Sequence, residues 1–335
     1  MKILEIKPLE PLSLPLSLIG GVDVFTVTQS TPIPLPTTVA GALGASMDVV
    51  LSLMDPMDSL NELIMELKNL CGNCEKPIAL GPLVCFDEQI TDQSKCYAYL
   101  HPGKLLLLAE HCIVENNGIV HLKNKSEDHD ECYVDFTPIT VVGVSLQRTK
   151  SGEEKVVRYG YMYRYPLITF RTPSGRALNP LYIYEFNCEE NINAVVRFGG
   201  ESRVAKLTTR SNEASYLKNI KSPLDELEKG LYIALSPIPV IPLKNDATQI
   251  SPGNVELPVH IESILGVPQE TRPAKIRITR LGLGFSEAAK KRRPEILALP
   301  PGTLIKVKED VKPPKFSNLM RNLLYIGFAA LYKLR

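Results

Sequence analysis

An α+β fold with mainly antiparallel sheets is what this sequence predicts, on three observations. Helical spacing is confined largely to two segments before residue 71, short apolar runs separated by turn residues fill most of the remaining chain, and strict alternation of helix with strand is absent. With 335 residues, 44% of them hydrophobic, and no run of low complexity, the chain is long enough for about two domains around proper cores.

Lys2 to Lys7 alternates in the manner of an edge strand, with Ile3 and Ile6 slightly out of phase. The run Thr31-Pro32-Ile33-Pro34-Leu35-Pro36 is extended, because each proline disfavours α geometry in the residue before it. Thr37 or Thr38 then caps a helix reaching to Leu53, whose small residues Ala40, Gly41 and Ala42 allow close packing. A second helix covers Ser59 to Leu70, where Leu60, Leu63, Ile64 and Leu67 repeat at helical spacing.

Beyond Pro77, strands are expected at Ile78 to Phe86, Lys104 to Glu110, Ile119 to Leu122 and Thr140 to Gln147. The last runs into Thr149-Lys150-Ser151-Gly152, a hairpin tip, and returns through Val156 to Thr169. Leu181 to Phe186, Ser202 to Thr208, Leu231 to Leu235, Lys275 to Leu281, Thr303 to Val307 and Leu323 to Leu331 complete the strands. Short helices are expected at Asn191 to Val196, Leu224 to Glu228 and Ile261 to Leu265.

The net charge of +1 conceals an asymmetry. Residues 1–135 hold 8 Lys and Arg against 19 Asp and Glu, a net of −11, and residues 136–335 hold 30 against 18, a net of +12. No Lys or Arg occurs between Pro8 and Leu67, whereas Lys290, Lys291, Arg292 and Arg293 are consecutive. Such a split suits one region facing a polyanion and another facing a protein neighbour; two solvated surfaces of unlike sign are the plainer alternative.

Two stretches imitate export or membrane signals. Pro8 to Val22 carries Glu10, Pro11 and Pro15, which spoil an apolar export segment, and Leu323 to Tyr332 is half the length of the roughly 20 residues a spanning helix needs. A cytoplasmic chain is the expectation. In that compartment seven cysteines, an odd number, make a complete disulfide framework unexpected. Cys71 and Cys74 form a CxxC pair that Cys85, Cys96, Cys112 and Cys132 or His101, His111, His121 and His129 would have to complete as a zinc site. Buried structural cysteines and exposed loop histidines are the commoner outcome, so no metal is assigned.

Signatures of hydrolytic and transfer enzymes are missing: there is no GxSxG, GxxxxGK[ST], HExxH or GxGxxG, and Gly282-Leu283-Gly284 lacks the third glycine. No catalytic residue is assigned. Three stretches instead suit nucleic acid. In Arg197-Phe198-Gly199-Gly200-Glu201-Ser202-Arg203 a glycine pair between arginines lets backbone approach a phosphate; a β-turn in which Glu201 pairs Arg203 is the ordinary reading of the same residues. Gly282-Leu283-Gly284-Phe285 leads into Lys290, Lys291, Arg292, Arg293 and Pro294, a loop able to wrap a single strand with Phe285 free to stack, or simply a solvated charge run. Arg158 and Arg164 interleave with Tyr159, Tyr161, Tyr163 and Tyr165, which share one face of a strand and either stack bases or cover a half-buried sheet.

The order of these motifs resembles the third-subunit family of the Cmr complex, the type III-B CRISPR effector, within the RAMP superfamily. The likeness is carried by Pro34 to Leu43, by Val142-Gly143-Val144-Ser145-Leu146-Gln147-Arg148 leading to Tyr161-Met162-Tyr163, by Phe198 to Arg203, and by Leu281 to Val307 with Arg292-Arg293-Pro294 and Leu299-Pro300-Pro301-Gly302-Thr303. The resemblance implies two ferredoxin-like (RRM-like) domains, 1–190 and a basic 191–335; the acidic Cys/His-rich residues around 71–135 match nothing in the family and are read as an insertion in the first. It also implies a non-catalytic, RNA-binding role without cofactor: contact with the 5′ repeat-derived tag of the crRNA, and partnership with the large polymerase/cyclase-type subunit and the repeated backbone RAMP subunits. This chain departs from the family where Leu12 to Val24 holds no cation and where the last glycine-rich loop is reduced to Ile326-Gly327-Phe328-Ala329-Ala330. Some RAMP relatives cut guide precursors with a histidine base near the first helix; here the earliest histidine is His101.

Overall fold

The computed structural model describes residues 2–14, 30–72, 74–86, 91, 94–101, 103–108, 112–116, 119–122, 132–148, 155–171, 176–200, 202–211, 214–243, 255–258, 263–269, 273–307 and 315–334. His111, His129, the expected hairpin tip at 149–152 and Glu201 lie outside them, as do the side chains of His121, Arg158, Tyr159, Tyr161, Tyr163 and Arg164.

The chain opens with β1 (Lys2–Pro8), α1 (Pro36–Ser46) and α2 (Pro56–Leu70). Then come β2 (Ala79–Cys85), β3 (Cys96–Leu100), β4 (Lys104–Leu107), β5 (Ile113–Asn116), β6 (Ile119–Leu122), β7 (Tyr133–Arg148), β8 (Lys155–Arg171), β9 (Ala177–Leu178) and β10 (Leu181–Phe186). β11 (Asn193–Arg197), β12 (Val204–Ser211), β13 (Ile220–Lys221), β14 (Gly230–Ala234), β15 (Ile238–Pro242), β16 (Val255–Glu256) and β17 (Ser263–Gly266) follow. The chain ends with β18 (Thr279–Gly282), β19 (Phe285–Ser286), β20 (Lys291–Arg292), β21 (Glu295–Leu299), β22 (Leu304–Val307), α3 (Asn318–Tyr325) and β23 (Leu331–Lys333). This is a sheet-rich α+β fold whose paired strands, among the described residues, all run antiparallel.

The large sheet has the order β11-β12-β1-β10-β2-β3-β4-β7-β8-β9, and a five-stranded sheet the order β13-β23-β14-β22-β17. A third sheet, β16-β15-β21-β18, and the hairpins β19-β20 and β5-β6 complete the pairing. β1 is therefore an interior strand between β10 and β12, not the expected edge strand. Ile3, Leu4 and Ile6 are all buried, which is the mark of a strand covered on both faces rather than one. β2, β3 and β4, from the Cys/His-rich stretch, stand in the middle of the same sheet.

Several elements differ from expectation, each for a local reason. α1 starts two or three residues early, at Pro36, whose fixed φ suits the first helical position, and Leu35 occupies the N-cap without a side-chain hydrogen bond. It stops at Ser46, well short of Leu53. α2 is longer than expected because the Asp55 carboxylate accepts from the backbone N–H of Met57 and Asp58. The apolar run from Leu323 is the end of a helix, not a strand: the Ser317 hydroxyl caps it at Met320 N–H, and Gly327, at φ +100°, turns the chain before β23. Asn191 to Val196 is largely strand, as β-branched Val195 and Val196 favour. The part of Ile261 to Leu265 that is described is strand, paired to β22. Leu224 to Glu228 is a set of turns that begins where the Ser222 hydroxyl accepts from Leu224 N–H.

Cysteine pairing is the largest correction. Six of the seven cysteines are joined, as Cys71–Cys188, Cys85–Cys96 and Cys112–Cys132, leaving the Cys74 thiol free. Cys85 and Cys96 face one another in the β2–β3 register, a placement that spacing alone does not reveal. The CxxC pair is thus split, and the Cys71 sulfur is not available to a metal. Among the described residues no cluster of three or more His, Cys, Asp or Glu is arranged as a metal site.

One apolar core runs through both the large and the five-stranded sheets, taking in Ile3, Leu4, Leu83 and Leu106 together with Ile233, Leu304, Leu323 and Phe328. At β2 the large sheet meets the end of α3 and the turn after it backbone to backbone. Ile78 N–H donates to Tyr325 O at 2.8 Å, and Gly327 lies so close to β2 that an added Cβ would stand 2.2 Å from Ala79 O. Gly302 sits against Tyr99 and Leu100 in the same manner, with 2.8 Å to an added Cβ. No helix among the described residues is long and apolar enough to cross a membrane.

Two outcomes are expected. Gly327→Ala lowers stability by about 3 kcal/mol, because both positive φ and contact oppose a side chain, while Gly41→Ala, with open space around it in α1, raises stability by up to about 1 kcal/mol; denaturant melts of the two variants compare them directly. Alkylation without reductant labels one thiol, at Cys74, and reduction lowers the melting temperature. The largest single share of that loss comes from Cys71–Cys188, whose 117-residue separation corresponds to about 5 kcal/mol of restricted unfolded chain.

Candidate nucleic-acid interface

The glycine pair of the first basic loop faces the protein itself. Phe198 is buried, Gly199 has φ +81°, and Gly200 N–H donates to Ser13 O at 2.8 Å. A Cβ on Gly199 would stand 2.6 Å from that carbonyl, so the close backbone approach that glycine permits is to Ser13 and Leu14. Arg203 does not extend to solvent either. Its guanidinium pairs with Glu10 and lies 3.4 Å from the Tyr165 hydroxyl. Burial alone would lower its pKa; the hydrogen bonds to Glu10 and Tyr165 outweigh that and hold it above the ordinary value. Arg197, at the end of β11, is exposed.

The second basic segment is a hairpin. Gly282 closes β18, Leu283 is buried, and Gly284 turns at φ +91° so that its carbonyl accepts from Arg293 N–H at 2.8 Å. β19 and β20 pair Phe285 with Arg292 and Ser286 with Lys291, and Lys290 takes a left-handed φ of +53° at the tip. The hairpin is pinned over the first turns of α1 and α2. The Ser286 hydroxyl bonds that of Ser59 at 2.7 Å, Arg293 Nε donates to Pro56 O at 3.3 Å, and an added Cβ on Gly284 would lie 3.8 Å from Thr37 Oγ1.

The four cations therefore part company. Lys290, Lys291 and Arg292 are exposed, whereas Arg293 is half-buried and its pKa is pushed down by that burial. Phe285 is 43% exposed beside them, on the strand opposite Arg292. A rigid tip with three outward cations and one aromatic ring, above two helix N-termini, favours an anionic strand. Arg158 and Arg164 are placed only by backbone, on β8, where Arg164 stands opposite Val142 of β7.

His101 directly follows β3, in the turn before β4. Its ring is half-buried, its Nδ1 is 3.3 Å from the Tyr99 hydroxyl, and its pKa is lowered by burial and then by the Arg277 charge. Sequence reasoning missed Glu10 as the partner of Arg203; the two lie far apart along the chain, and β1 and β12 bring them together.

No family model matches the chain and no curated protein matches it. Among solved structures, a chain of the type III-B Cmr-beta bound to cognate target RNA is similar over 100% of this chain and 97% of its own length, with a TM-score of 0.57 and 19% identity. A chain of Cmr-beta bound to cognate target RNA and AMPPnP is similar over 100% and 99%, with a TM-score of 0.59 and 19% identity. At this identity the likeness shows a shared fold, end to end.

Gly199→Ala is expected to cost about 2 kcal/mol of stability through strain against Ser13, whereas Arg197→Ala leaves stability within about 0.5 kcal/mol; thermal melts side by side check the contrast.

Proposed function

We propose that this chain is a non-catalytic, guide-RNA-binding and assembly subunit of a type III-B CRISPR (Cmr) effector complex, in the position of its third subunit. The single observation that carries the reading is the pinned hairpin with Lys290, Lys291 and Arg292 facing outward, in a chain whose fold matches chains of RNA-bound Cmr-beta from end to end. Cations held on a fixed turn lose little conformational freedom when they meet phosphates, so the charge is spent on binding rather than on ordering. In this reading the hairpin and the exposed Arg197 hold the 5′ tag of the crRNA. The acidic first part of the chain docks protein neighbours, the large polymerase/cyclase-type subunit and the backbone RAMP subunits. The chain works in the cytoplasm as two ferredoxin-like units, without cofactor or small-molecule substrate.

One observation favours a second reading, a purely architectural subunit: Arg203 and Arg293 are turned inward and serve the fold. Crosslinking of the assembled complex separates the two, since tag nucleotides that crosslink only to other chains support the scaffold. Metal-independent cleavage of repeat RNA that His101→Ala abolishes would replace both by a guide-processing endoribonuclease.

Combining Lys290→Glu, Lys291→Glu and Arg292→Glu should weaken guide RNA binding and flatten its dependence on salt by about 0.7 in the log-log slope for each phosphate that is no longer neutralised. The melting temperature should stay within a few degrees, because these side chains face solvent. Unchanged affinity and slope would sink the RNA-binding reading.

A further inference from the structure

The large sheet has a second basic feature, built from strands that the hairpin does not touch. Side chains alternate along β1, so Glu5 and Lys7 share the face opposite to Leu4 and Ile6. Tyr182, which stands opposite Ile6 in β10, sends its hydroxyl to Pro32 O at 2.8 Å, so the segment entering α1 lies on the Leu4 and Ile6 face. On the other face a pocket of about 450 Å³ opens, lined by Glu5, Lys7, Phe86, Arg176, Lys206 and Thr208 and floored by the turn between β9 and β10.

Its charge is arranged against the fold's own interest. Lys7 of β1 and Lys206 of β12 are direct partners in the antiparallel register, and both are exposed. Like charges set opposite one another destabilise a sheet. The acid that would ordinarily relieve them, Glu5, is already paired with Arg210. Arg176 adds a third exposed cation from the rim. The far wall is aromatic: Phe86 is held by edge and tilted contacts with Phe170 and Tyr97, at centroid distances of 5.5 and 5.6 Å, which fix its ring. Thr208 supplies a hydroxyl and Asn179 an amide within the same lining.

We propose that this pocket binds a nucleoside phosphate, with the phosphate between Lys7, Lys206 and Arg176 and the base against Phe86. Two opposed lysines match the paired oxygens of a phosphate, and an anion between them turns a repulsion into two charge-assisted hydrogen bonds. A volume of about 450 Å³ falls within the range of about 300 to 1,000 Å³ typical of small-molecule sites and admits one nucleotide rather than a duplex. The nucleotide is either free in solution or one residue of an RNA strand; the chemistry of recognition is the same. This site does not depend on the guide-RNA reading of the hairpin.

Calorimetric titration of the full chain with AMP, with inorganic phosphate and with a single-stranded ten-nucleotide RNA tests it. AMP is expected to bind saturably and more tightly than phosphate. The double variant Lys7→Gln, Lys206→Gln should lose affinity for AMP by about tenfold or more and melt no lower than the parent. If that variant fails to fold, Arg176→Gln on the rim serves in its place, with a loss of severalfold. Competition between the RNA and AMP identifies a strand as the source, and AMP binding without competition identifies a free nucleotide; either result supports the site. Absence of AMP binding, equal affinity for AMP and phosphate, or undiminished binding by the lysine variant overturns it. The Lys290→Glu, Lys291→Glu, Arg292→Glu variant should bind AMP as the parent does, which keeps failure here distinct from failure of the hairpin reading.

Discussion

The contact on which the rest of the architecture depends is the meeting of two backbones, at Ile78 and Tyr325, with Gly327 laid on Ala79. A single amide hydrogen bond contributes only about 1 kcal/mol net, so its importance lies in what it permits. By bringing β2 within backbone distance of the turn after α3, it lets the apolar sides of both sheets merge into one core. Ser236 completes the joint, since its hydroxyl donates to Gly327 O and accepts from Ala330 N–H. Every backbone N–H from Ile326 to Ala330 is thereby satisfied inside the protein, and no side chain larger than hydrogen fits at the centre of the turn.

From this joint the functional surfaces follow. With α1 and α2 on one side of the large sheet, their N-terminal turns are left as a platform, and the β19-β20 hairpin is bonded onto it through Ser59, Ser286 and Arg293. Arg293 is thus the foot of the hairpin, and the three cations before it are its head. The opposite side of the sheet is left open beside β9, where Lys7 and Lys206 confront each other. Both surfaces owe their cations to strands or turns rather than to long flexible loops, which limits the entropy lost on binding.

Much of this is legible in the chain. α2 announces itself through Leu60, Leu63, Ile64 and Leu67, all of which are buried, and the expected bounds of β10 match to the residue. The apolar tail misleads because Leu323 to Ala330, the last residues of α3 and the turn after it, are all buried, so this stretch lacks the helical period that would distinguish it from a strand. β15 escapes sequence reasoning because Pro239 and Pro242 speak against a strand, although Pro239 takes its place opposite Ala298. The glycine loops stand out in the sequence, but composition cannot say whether a bare backbone awaits a phosphate or presses on Ser13. Pairings such as Cys71 with Cys188, or Lys7 with Lys206, exist only once the sheet order is known.

The β7-β8 ribbon carries a mechanical consequence. From Val141 to Arg148 its only described backbone partner is the returning arm, whereas its base is held by β4, by β9 and by the bridge from Leu12 to Ile168. At about 3.3 Å per residue this portion is roughly 25 Å long, and it springs from a base packed at Phe136 and Phe170. A tilt of about one degree at those packed rings displaces the far end by roughly half an ångström over that span. The packing of Phe136 against Tyr99 and Phe170 at the base therefore sets where the outer end of the ribbon stands.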